Sequence, residues 1–326
     1  MKAVQLSRTG APEVLETVDI PTPIPGPGEV LVRVHAAGVN FFETLVRQGR
    51  YAEAPVLPMV PGVEVAGVVE ALGAGVEPEL LGARVAVPLF AAGRGSGGYA
   101  AYVAVDSAYA FRIPDSLSFE DAVALLVQGL TALFLLRQSP PDGKTVLVTA
   151  AGGGVGSLLV QLARRAGATT VIAAAGSPEK LALARKLGAD LAIDYSQPEW
   201  TRKPESLTEG RGIDTIYETV GGALTHAALE ALAPQGELVF GAVGRFELDK
   251  PQLEAMLLRN QSLKGFALLP LLTAPLLAES LSELFALASV GRLTVVHGGR
   301  YPLDEAAQAH HALESRRTSG KVVLVP

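Results

Sequence analysis

Residues 145–180, TVLVTAAGGGVGSLLVQLARRAGATTVIAAAGSPEK, set an apolar run against a knot of glycines and then an amphipathic stretch. This arrangement can hold a phosphate. Residues 146–148 read as a buried strand, 151–156 as a turn, and Leu158, Leu159, Leu162 and Ala163 as the apolar face of a following helix. At the start of such a helix, unpaired N–H groups and the helix dipole favour negative charge, and glycine lets the backbone approach the ligand closely. Against the fingerprint G-x-G-x-x-G, Gly153 and Gly156 match, Ala151 stands at the first glycine, and Gly154 and Val155 lie between. A sharp turn without any ligand has the same composition. Its place between a strand and a helix, at the first βαβ unit, favours a dinucleotide.

An Asp or Glu about 20 residues beyond the glycines would bond the ribose 2′-hydroxyl of NAD. Here the chain reads Ala173-Ala174-Ala175-Gly176-Ser177. No carboxylate would repel a 2′-phosphate, Ser177 can donate a hydrogen bond, and Lys180 can supply positive charge, although a lysine there also suits a solvated helix face. The pattern favours NADPH.

The elements that must position these residues follow from the hydrophobic rhythm. Residues 3–6, 30–39, 63–72, 84–89 and 99–105 read as strands between Gly and Pro clusters, with one helix at 40–48 capped by Asn40. A helical stretch opens after Ser118. Apolar runs then alternate with amphipathic segments at 145–149, 155–166, 170–174, 179–187, 191–193, 212–218, 224–232 and 237–241, the βαβ rhythm of a doubly wound parallel sheet. A strand at 262–268, a helix at 275–290, a short helix from Asp304 and a last strand at 322–325 follow. This α/β chain therefore divides into a first domain made of 1–122 and 265–326 and a second of 123–264.

Composition excludes several classes of function. The 326 residues include 27 basic and 33 acidic side chains, net −6, which leaves no electrostatic footprint for nucleic acid or an anionic membrane. With no cysteine, thiolate catalysis, disulfides and Cys-containing zinc sites are ruled out. The start of the chain lacks a signal-peptide core, and the apolar stretch 266–278 is broken by proline and too short to cross a bilayer. The expectation is a cytoplasmic protein with no membrane partner. His310 and His311 near a helix end, His35 in a strand and His226 in a helix read as structural.

Taken in order, Leu147-x-x-x-Ala151-Gly152-Gly153-Gly154-x-Gly156 with Gln161 and Arg164, GPGEVLVRVHAAGVNFFETLVRQGRY at 26–51, PGVEVAGVVEALGAGV at 61–76, QGLTA at 128–132, EKLALARKLGADLAIDY at 179–195 and YPLDEAAQAHHALESRRTSGKVVL at 301–324 carry a resemblance. The chain resembles the zinc-free quinone oxidoreductase, or zeta-crystallin-like, branch of the medium-chain dehydrogenase/reductases. The resemblance implies a Rossmann domain inserted in a GroES-like β-rich catalytic domain, a cofactor in the cleft and a homodimer. It implies that Asn40 touches the nicotinamide end, that Tyr51 stands in the substrate cleft, and that Thr131, Gly241, Ala242 and Val243 lie beside the nicotinamide. Lys180, Tyr195 and Arg316 would form the 2′-phosphate pocket. Each has a plainer reading, as an N-cap, a packed aromatic or a solvated arginine.

Zinc-dependent relatives carry Cys where this chain has Asn40 and His-Glu where it has Val63-Glu64. No three-ligand metal site can be assembled from those positions. The chemistry left is hydride transfer from NADPH to an acceptor that needs no Lewis acid, a quinone or an activated enone. Many relatives have Asp at Glu43 and Lys at Gln128, and the branch includes alkenal and enoyl-thioester reductases, so those substrates stay open. So does a weakly catalytic NADPH-binding role as a sensor, structural or RNA-binding protein, against which the acidic balance argues.

Overall fold

Along residues 29–39, EVLVRVHAAGV, most side chains are buried on both faces, as in a strand covered on both sides, and the segment pairs with other strands along both of its edges. It is the centre of the first of two compact units in the computed structural model. That model spans residues 1–326 and describes all but Glu53, Arg94, Pro198, Glu199, 202–207 and 242–244. The first unit is Met1–Leu130 with Leu272–Pro326, and the second is Thr131–Leu271.

In chain order the elements are β1 (Lys2–Leu6), β2 (Leu15–Asp19), β3 (Glu29–Val39), α1 (Phe41–Arg47), β4 (Val65–Leu72), β5 (Arg84–Val87), β6 (Tyr102–Asp106), β7 (Phe111–Arg112), α2 (Phe119–Ala124), a π-helical turn (Leu125–Gly129) and α3 (Leu130–Gln138). Then come β8 (Thr145–Val148), α4 (Gly154–Arg165), β9 (Thr170–Ala175), α5 (Pro178–Lys186), β10 (Leu191–Asp194), β11 (Ile213–Glu218), α6 (Ala223–Glu230), β12 (Leu232–Phe240), α7 (Lys250–Leu258) and β13 (Ser262–Gly265). The chain returns to the first unit with α8 (Ala274–Ser289), β14 (His297–Pro302), α9 (Ala306–Glu314) and β15 (Lys321–Val325).

In the first unit the main sheet runs β14-β15-β3-β4-β5-β7, and β6 pairs with β3 as well. All pairs are antiparallel except β14–β15, and β1 pairs with β2 apart from this sheet. Valines of β3, β4, β5, β6 and β15 meet in one core with Leu6, Leu89 and Tyr99. The second unit is a six-stranded sheet in the order β10-β9-β8-β11-β12-β13 with every neighbouring pair parallel. Numbered within the unit this is 3-2-1-4-5-6, the doubly wound order of a dinucleotide-binding sheet. β8 is buried at all four positions, as a strand covered on both faces must be.

Several boundaries differ from the sequence expectation. β12 begins at Leu232, inside the expected helix 224–232, and carries an irregularity opposite Ile213–Thr215, where Gln235 takes φ 65°. The strand expected at 262–268 stops at Gly265, and the helix expected from Asp304 begins as a 3-10 turn, Leu303–Glu305. β2, β14 and α7 were not anticipated. The helical stretch expected after Ser118 runs over Phe119–Gln138 and contains an 18-residue window of mean hydropathy 1.7. Its apolar window is 72% buried inside the protein, so its hydrophobicity serves the core.

Gly67 of β4 lies so close to β3 that a Cβ there would sit 2.0 Å from the carbonyl oxygen of Arg33. Gly67→Ala is expected to lower unfolding free energy by roughly 1–3 kcal/mol, the cost of overpacking. Urea denaturation reads this directly, and an unchanged midpoint would mean that the two strands separate freely.

Candidate active site

In a doubly wound sheet, ligands bind beyond the carboxyl ends of the strands, where the strand order reverses. In the second unit that reversal lies between β8 and β11. The backbone after β8 turns sharply: Ala150 takes φ 47°, Gly153 N–H donates to Ala150 O at 2.7 Å, and Ala151 N–H donates to Ala174 O at 3.0 Å. A Cβ on Gly156 would stand 2.3 Å from Ala150 O, so this position requires glycine for the turn and α4 to pack. Gly153 is the N-cap of α4 and has no side chain to bond the first turn. The leading N–H groups of α4, on Gly154, Val155 and Gly156, therefore face outward without intrahelical acceptors. This is a fit for a diphosphate.

The neighbouring strand ends carry the other expected residues. After β9, Ser177 caps α5, its Oγ accepting from Lys180 N–H at 3.4 Å. The Lys180 stem packs on the glycine turn, 2.7 Å from where a Gly152 Cβ would lie, and the Tyr195 ring lies over Gly176, 3.0 Å from its Cβ position. The sheet thus brings Gly153, Gly154, Val155, Gly156, Ser177, Lys180 and Tyr195 to one edge. At the same edge Gly241 follows β12, its N–H donating to Glu218 O at 3.0 Å. Ala242 and Val243 lie outside the described residues. Thr131 sits half-buried at the start of α3.

Sequence reasoning missed Glu218 and Thr149. Fully buried Glu218 accepts from Val220 N–H (2.6 Å), Gly221 N–H (2.9 Å) and Thr225 Oγ1 (2.8 Å), shaping the loop after β11. Thr149 Oγ1 accepts from Thr219 N–H at 3.1 Å, tying the ends of β8 and β11 together. The signal was an acid closing an apolar run just before Gly221-Gly222.

In the first unit Asn40 is the N-cap residue of α1, with its amide drawn elsewhere. Asn40 Nδ2 donates to Glu64 Oε1 at 2.8 Å, and Asn40 Oδ1 accepts from Lys321 Nζ at 2.9 Å. Lys321 also forms an ion pair with Glu64, whose Oε2 accepts from Val127 N–H at 2.7 Å. Both charged side chains have no solvent exposure. The amide is held at both ends, which fixes its orientation and its remaining N–H. Lys321 was legible as a lysine in the apolar run KVVLV but was not singled out. Val63 offers no metal ligand, and among the described residues no group of three or more His, Cys, Asp or Glu side chains could hold a metal ion.

Glu43 completes the start of α1. Its Oε2 accepts from Asn40 N–H at 2.6 Å, and burial pushes its carboxyl up to about 8. Tyr51 stacks at a tilt on Phe42, ring centroids 5.4 Å apart, and burial raises its phenol above the ordinary value. Arg316 is exposed, with its backbone at φ 55° in the turn after α9.

Residues 26–115 match the alcohol dehydrogenase GroES-like domain family, and residues 154–283 match the zinc-binding dehydrogenase family. The chain is 38% identical to a quinone oxidoreductase of Pseudomonas aeruginosa over 333 aligned residues, covering 100% of this chain and 99% of that protein. Its structure matches the Escherichia coli quinone oxidoreductase complexed with NADPH at a TM-score of 0.91 and 30% identity, covering 100% of both chains. A mycobacterial protein, also complexed with NADPH, matches at a TM-score of 0.88 and 36% identity, again over 100% of both chains.

Two outcomes test the geometry of the first unit. Lys321→Met strands the buried Glu64 carboxylate and is expected to cost about 3–5 kcal/mol, most of it recovered when Glu64→Leu is added; a single variant as stable as the parent in urea would dissolve the pair as a constraint. An acid whose folded pKa is raised binds its proton more tightly when folded, so Glu43 favours folding at low pH. That contribution is lost as pH climbs from the ordinary carboxylate range to about 8. Glu43→Gln should flatten this part of the stability–pH curve, and a curve of unchanged slope would show that Glu43 ionises normally.

Proposed function

Because the chain belongs to the quinone oxidoreductase branch of the medium-chain dehydrogenase/reductase superfamily, we propose that it is an NADPH-dependent reductase acting on a quinone. The observation that carries this reading is the end of β9, where Gly176-Ser177 replaces an acid and Lys180 lies against the glycine turn. NADPH when bound supplies a hydride from its nicotinamide ring. The N–H groups of Gly154, Val155 and Gly156 hold the diphosphate. Ser177, Lys180, Tyr195 and Arg316 bind the 2′-phosphate, and Thr131, Gly241, Ala242 and Val243 border the nicotinamide.

Asn40 and Tyr51 serve the substrate end. A quinone accepts electrons without Lewis-acid help, so this reading is zinc-independent, and it is supported by an Asn40 amide and a Glu64 carboxylate already bonded to the Lys321 ammonium. Tyr51, its phenol protonated at neutral pH, donates a hydrogen bond to the oxygen on which negative charge develops. A reaction that consumes NADPH suits a cytoplasmic protein. A homodimer is supported by the second unit, where β13 is an edge strand and α7, leading into it, exposes Leu253, Leu257 and Leu258. Neither nucleic acid nor membrane has a part in this reading.

Titration with NADPH and NADH, followed by turnover of a benzoquinone, a naphthoquinone, an alkenal and an enoyl-thioester, tests it. NADPH preference with quinone turnover is expected; turnover confined to the alkenal or thioester would move the substrate, and binding of neither nucleotide would sink the reading. Lys180→Ala should weaken NADPH binding about tenfold, the worth of one charge-assisted bond, and leave NADH unchanged. Tyr51→Phe should lower kcat more than NADPH affinity, and equal turnover would remove Tyr51 from the mechanism.

A further inference from the structure

Beside α1 the first unit holds a cavity of about 50 Å³. Its walls include Phe42, Val46 and Val63 and four polar residues, Glu43, Arg47, Ser96 and His310. Glu43, Arg47 and His310 are almost wholly buried, with 4%, 1% and 0% exposure, and among the described residues each has one polar atom without a protein partner: Glu43 Oε1, Arg47 Nε and His310 Nδ1. Their other polar atoms are fixed. Glu43 Oε2 accepts from Asn40 N–H at 2.6 Å and from Tyr99 OH at 3.3 Å, His310 Nε2 meets Tyr99 OH at 3.0 Å, and the Arg47 guanidinium donates to Gly10 O and pairs with Glu314. Buried polar groups in folded proteins are satisfied by protein or by ordered water.

The unpaired atoms define the guest. Arg47 Nε only donates. Burial pushes the Glu43 carboxyl up to about 8, so at neutral pH it carries a proton; with Oε2 accepting twice, that proton sits on Oε1. Burial lowers His310 to about 3, so its ring is neutral. Since Tyr99 OH donates to Glu43, it accepts from His310 Nε2–H, which leaves Nδ1 as an acceptor. A single guest that reaches all three would accept from Arg47 and Glu43 and donate to His310. A metal cation cannot accept, and a simple anion cannot donate. Water does both, and the cavity exceeds the roughly 10–15 Å³ that one water needs.

We propose that this cavity is an internal water site, in which water bridges Glu43, Arg47 and His310 and thereby links α1 to α9, the helix packed against it. The bridged Glu43 keeps Oε2 turned to the Asn40 N–H at the start of α1.

A high-resolution crystal structure of the full chain tests the site. Ordered density within hydrogen-bond reach of both Glu43 Oε1 and His310 Nδ1 is expected. A dry cavity, or those atoms bonded directly to protein groups, would overturn the proposal. In solution, water-oxygen relaxation dispersion counts long-lived internal waters. Val46→Leu, which fills the cavity from its apolar wall while Glu43, Arg47 and His310 remain, should lower that count, and an undiminished count in a variant that unfolds at the parent's temperature would also overturn it.

Discussion

The first unit depends on the ion pair between Lys321 and Glu64. Two charges with no solvent exposure carry a desolvation cost that their attraction offsets only when every remaining polar group has a partner. Here those partners are the Asn40 amide and the Val127 N–H. One carboxylate thus fastens four pieces of chain: β15, the approach to β4, the start of α1 and the π-helical turn. Because the bonds are directional, the pair acts less as a source of stability than as a constraint on where Asn40 points.

Among the described residues the second unit shapes its glycine turn without a buried ion pair, and Lys180 is the cation that lies against it. Its site edge is made by backbone: the left-handed Ala150, the contact of Gly156 with Ala150 O, and the bare start of α4. Glu218 is the exception, a buried acid spent on Val220 and Gly221 N–H groups and not on a ligand. The division suits the chemistry proposed. A dinucleotide is recognised largely by N–H groups aimed at phosphate, whereas substrate chemistry needs side chains held in one orientation.

Local signals made much of this readable. The glycine turn, the parallel rhythm and the helix opening after Ser118 appear in short windows of sequence, and the structure has them where they were expected; the cap at Ser177 was equally local but was read only as a phosphate donor. α7 was equally legible in Asp249, Pro251 and Gln252 but was overlooked. β14, HGGRYP, was not, since its exposed and half-buried side chains do not alternate in polarity and only pairing with β15 makes it a strand. The same limit hid the site in the first unit. Asn40 and Glu64 are 24 residues apart and Lys321 a further 257, so no local pattern announces that three polar groups share one bond network. Glu43 and His310 likewise read as a helix acid and a helix histidine until Tyr99 joins them.

The discontinuity of the first unit sets an order of events during synthesis. When residues 1–130 leave the ribosome, β3 has β4 and β6 beside it but lacks β15, and Glu64 is a carboxylate with no ammonium to meet. The second unit is one continuous segment whose six strands are all present once Gly265 emerges. Nascent chains therefore carry a finished nucleotide-binding sheet next to a half-built partner whose unpaired strand edge is open to chaperones or to misassociation. The closing step is the pairing of residues 321–325 with β3, and a released chain truncated after Gly320 should be a better chaperone client than the full chain.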